Sequence, residues 1–283
     1  MNGFLLAISI SSMVLQDTIL NREGKKGLNE SSEFFRFQTI MFLLCAAALA
    51  LPAIRGGVSL YTAAFGFVFG ILTAFLYRFK VRALASGPMH ITVLLITSSL
   101  IIPALSGVLF FGEKFSAPKM AALLILIASI YVSAAEKRAG KANKKWLGNC
   151  MAAFAISGAV GILQKMHQSS DHKGELCGFL FLSFACAFVV SFISSERYPA
   201  KKPLAGKSVC AALVCGLCML TMNIFNLKLS GILPSQLFFP IVNGGTIVFG
   251  TVISLAGFRE IITKRQIAGI LGGIISIVAI ALF

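Results

Sequence analysis

The chain alternates long apolar runs with short polar connectors, and the run lengths set the first expectation. A helix needs about 20 apolar residues to cross the hydrocarbon of a bilayer. Ten runs qualify: 2–20, 34–54, 58–79, 87–111, 116–135, 146–166, 175–195, 207–228, 232–256 and 264–283. An all-α integral membrane protein with ten transmembrane helices is expected, and the short connectors leave no room for a soluble domain. Punctuation at the connectors agrees. Ser116 can cap the fifth helix, with Pro118 in its first turn. Thr263-Lys264-Arg265-Gln266 is a capping-box pattern at the start of the tenth. Pro88 and Pro234 open the fourth and ninth.

The order of residues repeats. GILTAFLYRFKVRALASGP (70–88) lies over GLCMLTMNIFNLKLSGILP (216–234) without a gap. Gly70 falls on Gly216, Phe79 on Phe225, Arg82 on Lys228 and Pro88 on Pro234. Upstream, Leu15-Gln16-Asp17 falls on Leu163-Gln164-Lys165. Downstream, Glu113 falls on Glu260 after one extra residue. The first unit covers 1–136, a basic connector 137–145, and the second unit 146–283. Each unit holds five spans. Five is odd, so the second copy must enter the membrane from the opposite side. Inverted repeats of this kind are a recurring plan of secondary transporters, with the solute site between the halves.

Composition sharpens the class. The chain is 57% hydrophobic and 12% charged, against roughly 25% charged in a soluble domain. A net charge of +15 could suggest nucleic acid. The basic residues instead fall in connectors such as EKRAGKANKK (136–145), as topology signals do, so no nucleic-acid partner is expected. The seven cysteines lie in or beside apolar runs and imply no disulfide framework. Cys215 and Cys218 spell CxxC without a βαβ pattern or other ligands nearby, and are expected to pack a helix. The N-terminus has no basic n-region and no clear cleavage site, and reads as a retained first helix.

The stretches ALASGPMHITVLLITSSLIIPALSGVLFFGEKFS (83–116) and SGILPSQLFFPIVNGGTIVFGTVISLAGFREIIT (230–263), each set in a five-helix copy, resemble the ten-helix drug/metabolite transporter superfamily, in its EamA-like branch. The resemblance covers nearly the whole chain. The second copy departs from the pattern, its turn reading Gly-Phe-Arg-Glu. The resemblance implies a secondary active transporter of a small organic metabolite or drug in the cell membrane. An exporter is the first expectation, and an uptake permease or exchanger of the same fold the alternative. Orientation is in conflict. Nineteen of the 25 Lys and Arg residues fall on the odd-numbered connectors and six on the even-numbered ones. That bias places both termini outside, whereas the resemblance implies both inside.

Candidate site residues follow from the cost of polar groups in hydrocarbon. Asn243 lies deepest, in PIVNGGT, where Gly244 and Gly245 permit close backbone approach. Asn243 and Asn223 are the first choices for lining a substrate cavity, with helix–helix hydrogen bonding the competing role. Asn223 and Asn226 match Tyr77 and Lys80 on the third helix. Gln16 and Gln164 occupy matching places in the first helix of each copy. Asp17 and Lys165 also match, with opposite charge. They are a candidate gate if symmetry brings them across the cavity, and solvated interfacial groups otherwise. His90 and Gln236 follow the two matched prolines, and His90, with a reference pKa near 6.5, is a candidate proton sensor. Asp17, His90, Glu113 and Glu260 are the titrating groups near the bilayer available for proton coupling. Glu113 and Glu260 fit structural turns, as acids near helix N-termini. Arg36 is expected to snorkel to headgroups, with Phe34, Phe35 and Phe37 anchoring the interface.

Other chemistry is not favoured. His167, Asp171, His172 and Glu175 lie near one another, but their spacing suits no metal beyond one i,i+4 pair. No metal, cofactor or nucleotide is expected, since GxxxxGK[ST] does not occur. An embedded enzyme would want a paired-carboxylate, His-rich or nucleophile–base cluster within the spans. A scaffold would not need an inverted repeat. A small-molecule solute and the lipid bilayer are the expected partners.

Overall fold

The computed structural model describes residues 2–28, 31–112, 116–134, 144–197, 204–258 and 263–282. Glu113 and Glu260 lie outside these residues. All regular structure among the described residues is helical, as backbone in hydrocarbon requires when it must satisfy its own hydrogen bonds. The helices are α1 (Asn2–Glu23), α2 (Ser31–Gly56), α3 (Leu60–Ser86), α4 (Met89–Thr97), α5 (Ile101–Phe111), α6 (Ala117–Ala134), α7 (Lys144–Gln168), α8 (Leu176–Arg197), α9 (Gly206–Ile232), α10 (Ser235–Phe258) and α11 (Lys264–Leu282). Among the described residues, each of the ten apolar runs is helical over most of its length. Eight helical segments are long and apolar enough to cross a membrane, so the chain is a multi-pass membrane protein. α6 and α11 contribute the shorter apolar stretches Met120–Ser129 and Ile267–Ser276.

The segment Met89–Gly107 is one of the eight, yet its helix is broken. α4 and α5 are joined by a 3-10 turn at Ser98–Leu100. Pro103 has no N–H to offer the Ser99 carbonyl one turn back. Hydroxyls bind nearby carbonyls instead: Thr97 Oγ1 donates to the Val93 carbonyl at 2.6 Å and Ser98 Oγ to that of Leu94 at 2.5 Å. This is how a membrane helix tolerates a break. The matched prolines act at the starts of α4 and α10: the Pro88 carbonyl accepts from Thr92 N at 3.0 Å and the Pro234 carbonyl from Phe238 N at 2.9 Å. Ser116 and Thr263 take the expected places before α6 and α11, their carbonyls accepting from Met120 N and Ile267 N.

Helices distant in sequence pack together. α2 lies on α8, α6 on α11, α1 on α9, α3 on both α7 and α8, and α2 also on α9. Glycines allow close approaches of one helix to the backbone of another, Gly70 and Gly216 among them. At Gly70, in α3, an added Cβ would collide with the Ser183 carbonyl and the Cys186 Cβ of α8. At Gly216, in α9, it would come within 3.0 Å of the Met41 carbonyl and 2.9 Å of Leu44 in α2. The largest buried cluster sits around these contacts and includes Phe42, Phe69, Tyr77, Phe179 and Phe184. It also includes Phe34, Phe35 and Phe37, all buried, which overturns their expected place at the headgroups. α2 is covered on several sides by α8 and α9, so an aromatic run at its start is used for packing. The cysteines are free thiols. Cys215 and Cys218 are buried packing residues, and Cys45 Sγ donates to the Gly216 carbonyl at 3.2 Å.

Gly70→Leu and Gly216→Leu are expected to destabilise the purified protein by about 1–3 kcal/mol each, through overpacking. Gly148→Ala, where a Cβ meets nothing within 4 Å, should be neutral or stabilising by about 0.5–1 kcal/mol. Thermal unfolding in detergent reads the difference. Unshifted melting of the two leucine variants would remove close backbone contact as the constraint.

Candidate functional site

A partly open cavity of about 120 Å³ lies among α1, α3, the broken α4–α5 segment, α7, α9 and α10. Its walls mix Phe69, Phe238 and Phe239 with the polar Thr73, Tyr77, Lys80, Thr97, Ser99, Ser157, Gln164, Asn223, Asn226 and Asn243. The helix break at Ser98–Leu100 opens onto it, since Thr97, Ser99 and Pro103 all line it. Ser99 Oγ donates to Ser157 Oγ at 2.9 Å, tying that break to α7.

The three expected asparagines line this space. Asn243 Nδ2 donates to the Phe239 carbonyl and Asn223 Nδ2 to the Met219 carbonyl, both at 2.9 Å and one turn back. Each bond uses one N–H and leaves the amide oxygen for another donor. Asn226 is tied across to α1, its Oδ1 accepting from Ser9 Oγ at 2.5 Å. Gln164 and Thr73 differ: both are buried, and Gln164 Nε2 and Thr73 Oγ1 have no hydrogen-bond partner. An unmet polar atom on a cavity wall is a place for water or a ligand group.

Gln16 does not line the cavity; it stands behind the wall and holds it. Its Oε1 accepts from the Tyr77 hydroxyl at 2.7 Å, while its Nε2 donates to the Cys215 carbonyl at 3.0 Å. The bridge joins α1, α3 and α9. Asp17, beside it, is 1% exposed and lies 2.5 Å from the Lys80 ammonium. Lys80 reaches the cavity wall from that pair, its Nζ 5.7 Å from the centre of the Tyr77 ring.

The expected gate takes other partners. Lys165 is buried and its Nζ donates to the carbonyls of Ser230, at 3.1 Å, and Leu233, at 3.3 Å, at the end of α9. Gln16, next to Asp17, binds α9 at Cys215. Fifteen residues of continuous helix separate Cys215 from Ser230, about 22 Å at the α-helical rise. Gln16 and Lys165 therefore bond to well-separated parts of α9, and Asp17 and Lys165 do not face each other across the cavity. His90 is buried in the first turn of α4, away from the cavity wall. Gln236 lies in the first turn of α10, and its side chain is outside the described set.

The His167 group takes structural contacts. His167 is fully buried, with Nε2 3.1 Å from Thr62 Oγ1. Glu175 Oε2 accepts from the backbone N and the Oγ of Ser59, each at 2.8 Å, at the start of α3. Glu23 makes a similar contact elsewhere, its Oε2 accepting from Ser208 Oγ at 2.7 Å at the start of α9.

Lys80, Thr73, Ser99 and Ser157 are wall residues that sequence reasoning missed as site residues. The signal was present for Lys80, a charged residue inside a 27-residue apolar helix and the match of Asn226. The Gln16 bridge sets a test. Tyr77→Phe and Gln16→Met should each cost about 1–3 kcal/mol, by stranding the partner's buried polar atoms. The double variant should recover part of that sum, a coupling of about 0.5–3 kcal/mol. Additive losses in thermal unfolding would mean the bridge is not a unit.

No family model matches the chain, and no curated protein matches its sequence. Among solved chains that do match, one, described only as "Crystal structure of protein", superposes with a TM-score of 0.71 at 13% identity. The match covers 99% of this chain and 97% of that one. At such identity the likeness establishes a shared fold over the whole chain and no shared activity.

Proposed function

We propose that the chain is a secondary transporter of the drug/metabolite, EamA-like kind. Ten spans form two inverted five-helix repeats, and a small organic solute moves through the cavity between them by alternating access. One observation carries this reading: a polar-lined cavity inside an apolar bundle, with unmet polar atoms on its wall. In the ten-span count, α4 and α5 together form the fourth span. The cavity walls are then spans one, three and four and their counterparts six, eight and nine.

The packing supports the inversion. α1 on α9 and α3 on α7 are counterpart contacts, as are α3 on α8 and α2 on α9. α2 on α8 and α6 on α11 pair a span with its own counterpart. Gly70 and Gly216 make matched close approaches. Glu175 on Ser59 and Glu23 on Ser208 are matched ties, each from beyond the first run of one copy to the start of the other copy's third span. A helix interrupted at a cavity is a recurring element of transporter sites.

The test is solute flux into vesicles containing the purified protein, across amino acids, other organic acids, sugars and cationic drugs. At least one solute should move faster than in protein-free vesicles. The same solute at a hundred times its Kd should stabilise the detergent-solubilised protein by about 2.7 kcal/mol. Asn223→Ala and Asn243→Ala should weaken its binding roughly two- to tenfold, as loss of one neutral hydrogen bond does. If no solute of any class moves or stabilises, the transport reading fails.

A further inference from the structure

We propose that the cavity takes a small monocarboxylate, which binds Lys80 as Asp17 takes up a proton, so that acid and proton cross together. The inference rests on the transport reading and names its solute class and coupling.

The arrangement of the pair points to an anion. Lys80 lines the cavity, and Asp17 does not. The carboxylate is 1% exposed behind the wall, and the lysine side chain is 12% exposed at it. Among the described lining residues Lys80 is the one Lys, Arg, Asp or Glu. A solute in the cavity therefore meets an ammonium first, and a cationic solute would be repelled by it. The amide oxygens and N–H groups of Asn223, Asn226 and Asn243 suit a polar substituent beside the carboxylate. Phe69, Phe238 and Phe239 suit a short carbon chain.

Charge balance then couples the proton. In the proposed resting state the pair is ionised, Asp17–COO⁻ with Lys80–NH₃⁺, and its charges cancel. An incoming RCOO⁻ that takes the ammonium leaves two carboxylates in a dry site, where a like charge favours protonation. With one proton the balance closes: Asp17–COOH, Lys80–NH₃⁺ and RCOO⁻ again sum to zero. The neutral acid needs an acceptor for its O–H. Asn21, one turn on along α1, is fully buried, and its Oδ1 and Nδ2 have no partner. The other titratable groups facing Asp17 are Tyr77 from α3 and Cys215 from α9. α10 brings no ionisable side chain between Ser235 and Phe258. The π-helical turn after α1 brings Lys25 and Lys26, and Lys26 is paired with Glu23 at 2.7 Å.

A purely structural ion pair explains less. The counterpart positions in the second copy are Lys165 and Asn226. There Lys165 donates to α9 carbonyls and Asn226 accepts from the Ser9 hydroxyl. A buried ion pair is costly to desolvate, and packing alone gains little from placing one behind a cavity wall. Coupling is reciprocal: protonation must raise carboxylate affinity by the factor that the carboxylate raises proton affinity. An inward proton gradient would then drive uptake, the reverse of the exporter expected from sequence.

The probes are unsubstituted, 2-hydroxy and 2-amino acids of three to six carbons, each beside its neutral amide and its amine analogue. Calorimetry on detergent-solubilised protein, in two buffers of different ionisation enthalpy, counts protons. The expected result is selective binding of an acid with uptake of about one proton per molecule. Lys80→Gln should weaken that binding about ten- to a hundredfold, the loss of a charge-assisted bond. Asp17→Asn should bind the acid without taking up a proton, and Asp17→Glu should restore the count. Amides or amines binding as tightly as acids, or a wild-type proton count of zero, would overturn the inference. So would an Asp17→Asn protein that still takes up the proton. If the variants fail to fold, the wild-type proton count and the acid–amide comparison decide alone. Flux of a neutral or cationic solute with none of any acid sinks the solute class and leaves transport standing. Acid binding with proton uptake but no flux of any solute sinks transport and leaves the site standing.

Discussion

Helices in hydrocarbon gain little by hiding apolar surface from lipid tails, so this bundle depends on how closely its backbones approach. The contacts of Gly70 with α8 and of Gly216 with α2 meet that need. Without a Cβ at these positions, carbonyls and neighbouring side chains come within van der Waals distance and many weak dispersion contacts add up. Cys45 Sγ then reaches the Gly216 carbonyl as well. α2 and α8 lie against each other in this dense region, and its aromatic core is continuous from Phe42 to Phe184.

The cavity is the complement of that dense region. Where α2 and α8 pack tightly, α1, α3, α7, α9, α10 and the α4–α5 break converge around open space. Holding a polar wall there requires its groups to be pinned from behind. Gln16 does this by spanning three helices with both ends of one amide. The wall is thus a first layer of Tyr77, Lys80 and the asparagines, held by Gln16, Asp17 and Ser9. A buried amide with both ends used fixes orientation at small net cost, whereas one with an unmet end invites a guest. Gln164, the sequence match of Gln16, is the unmet case.

Much of the fold was legible in the sequence because its rules are local. Run length fixed the helices, and Pro88 and Pro234 fixed two of their starts. The asparagines were legible as wall residues because polar amides in apolar helices have few other places to go. What failed were statements about partners. Phe34, Phe35 and Phe37 were placed at headgroups, since position near a helix start does not say which helices will cover it. Lys80 was passed over because its connector-like neighbours, Arg78 and Arg82, made it look interfacial. Asp17 and Lys165 read as a gate if symmetry brought them together and as solvated interfacial groups otherwise; both are buried and bond to different partners. Glu113 and Glu260, the acids that mark the proposed duplication, fall outside the described residues and keep only their sequence meaning.

In the proposed repeat, the positions that match between copies and those that do not sort by task. Gly70 with Gly216 and Pro88 with Pro234 serve backbone geometry, which a pseudo-two-fold arrangement needs twice. Asp17 with Lys165, and Lys80 with Asn226, face or back the cavity and differ in charge. A transporter needs its scaffold symmetric, so that the two access states have similar energies. Its bound solute has no such symmetry, and a single anchoring charge must belong to one half. Lys80 sits where the second copy carries an uncharged amide, so the cavity offers a polar solute one orientation rather than two. A cavity with Lys80-type charges in both halves would hold two cations in low dielectric, with no second buried acid in the described wall to offset them. In the proposed symmetric frame, the asymmetry is therefore the less costly way to place one charge at the centre.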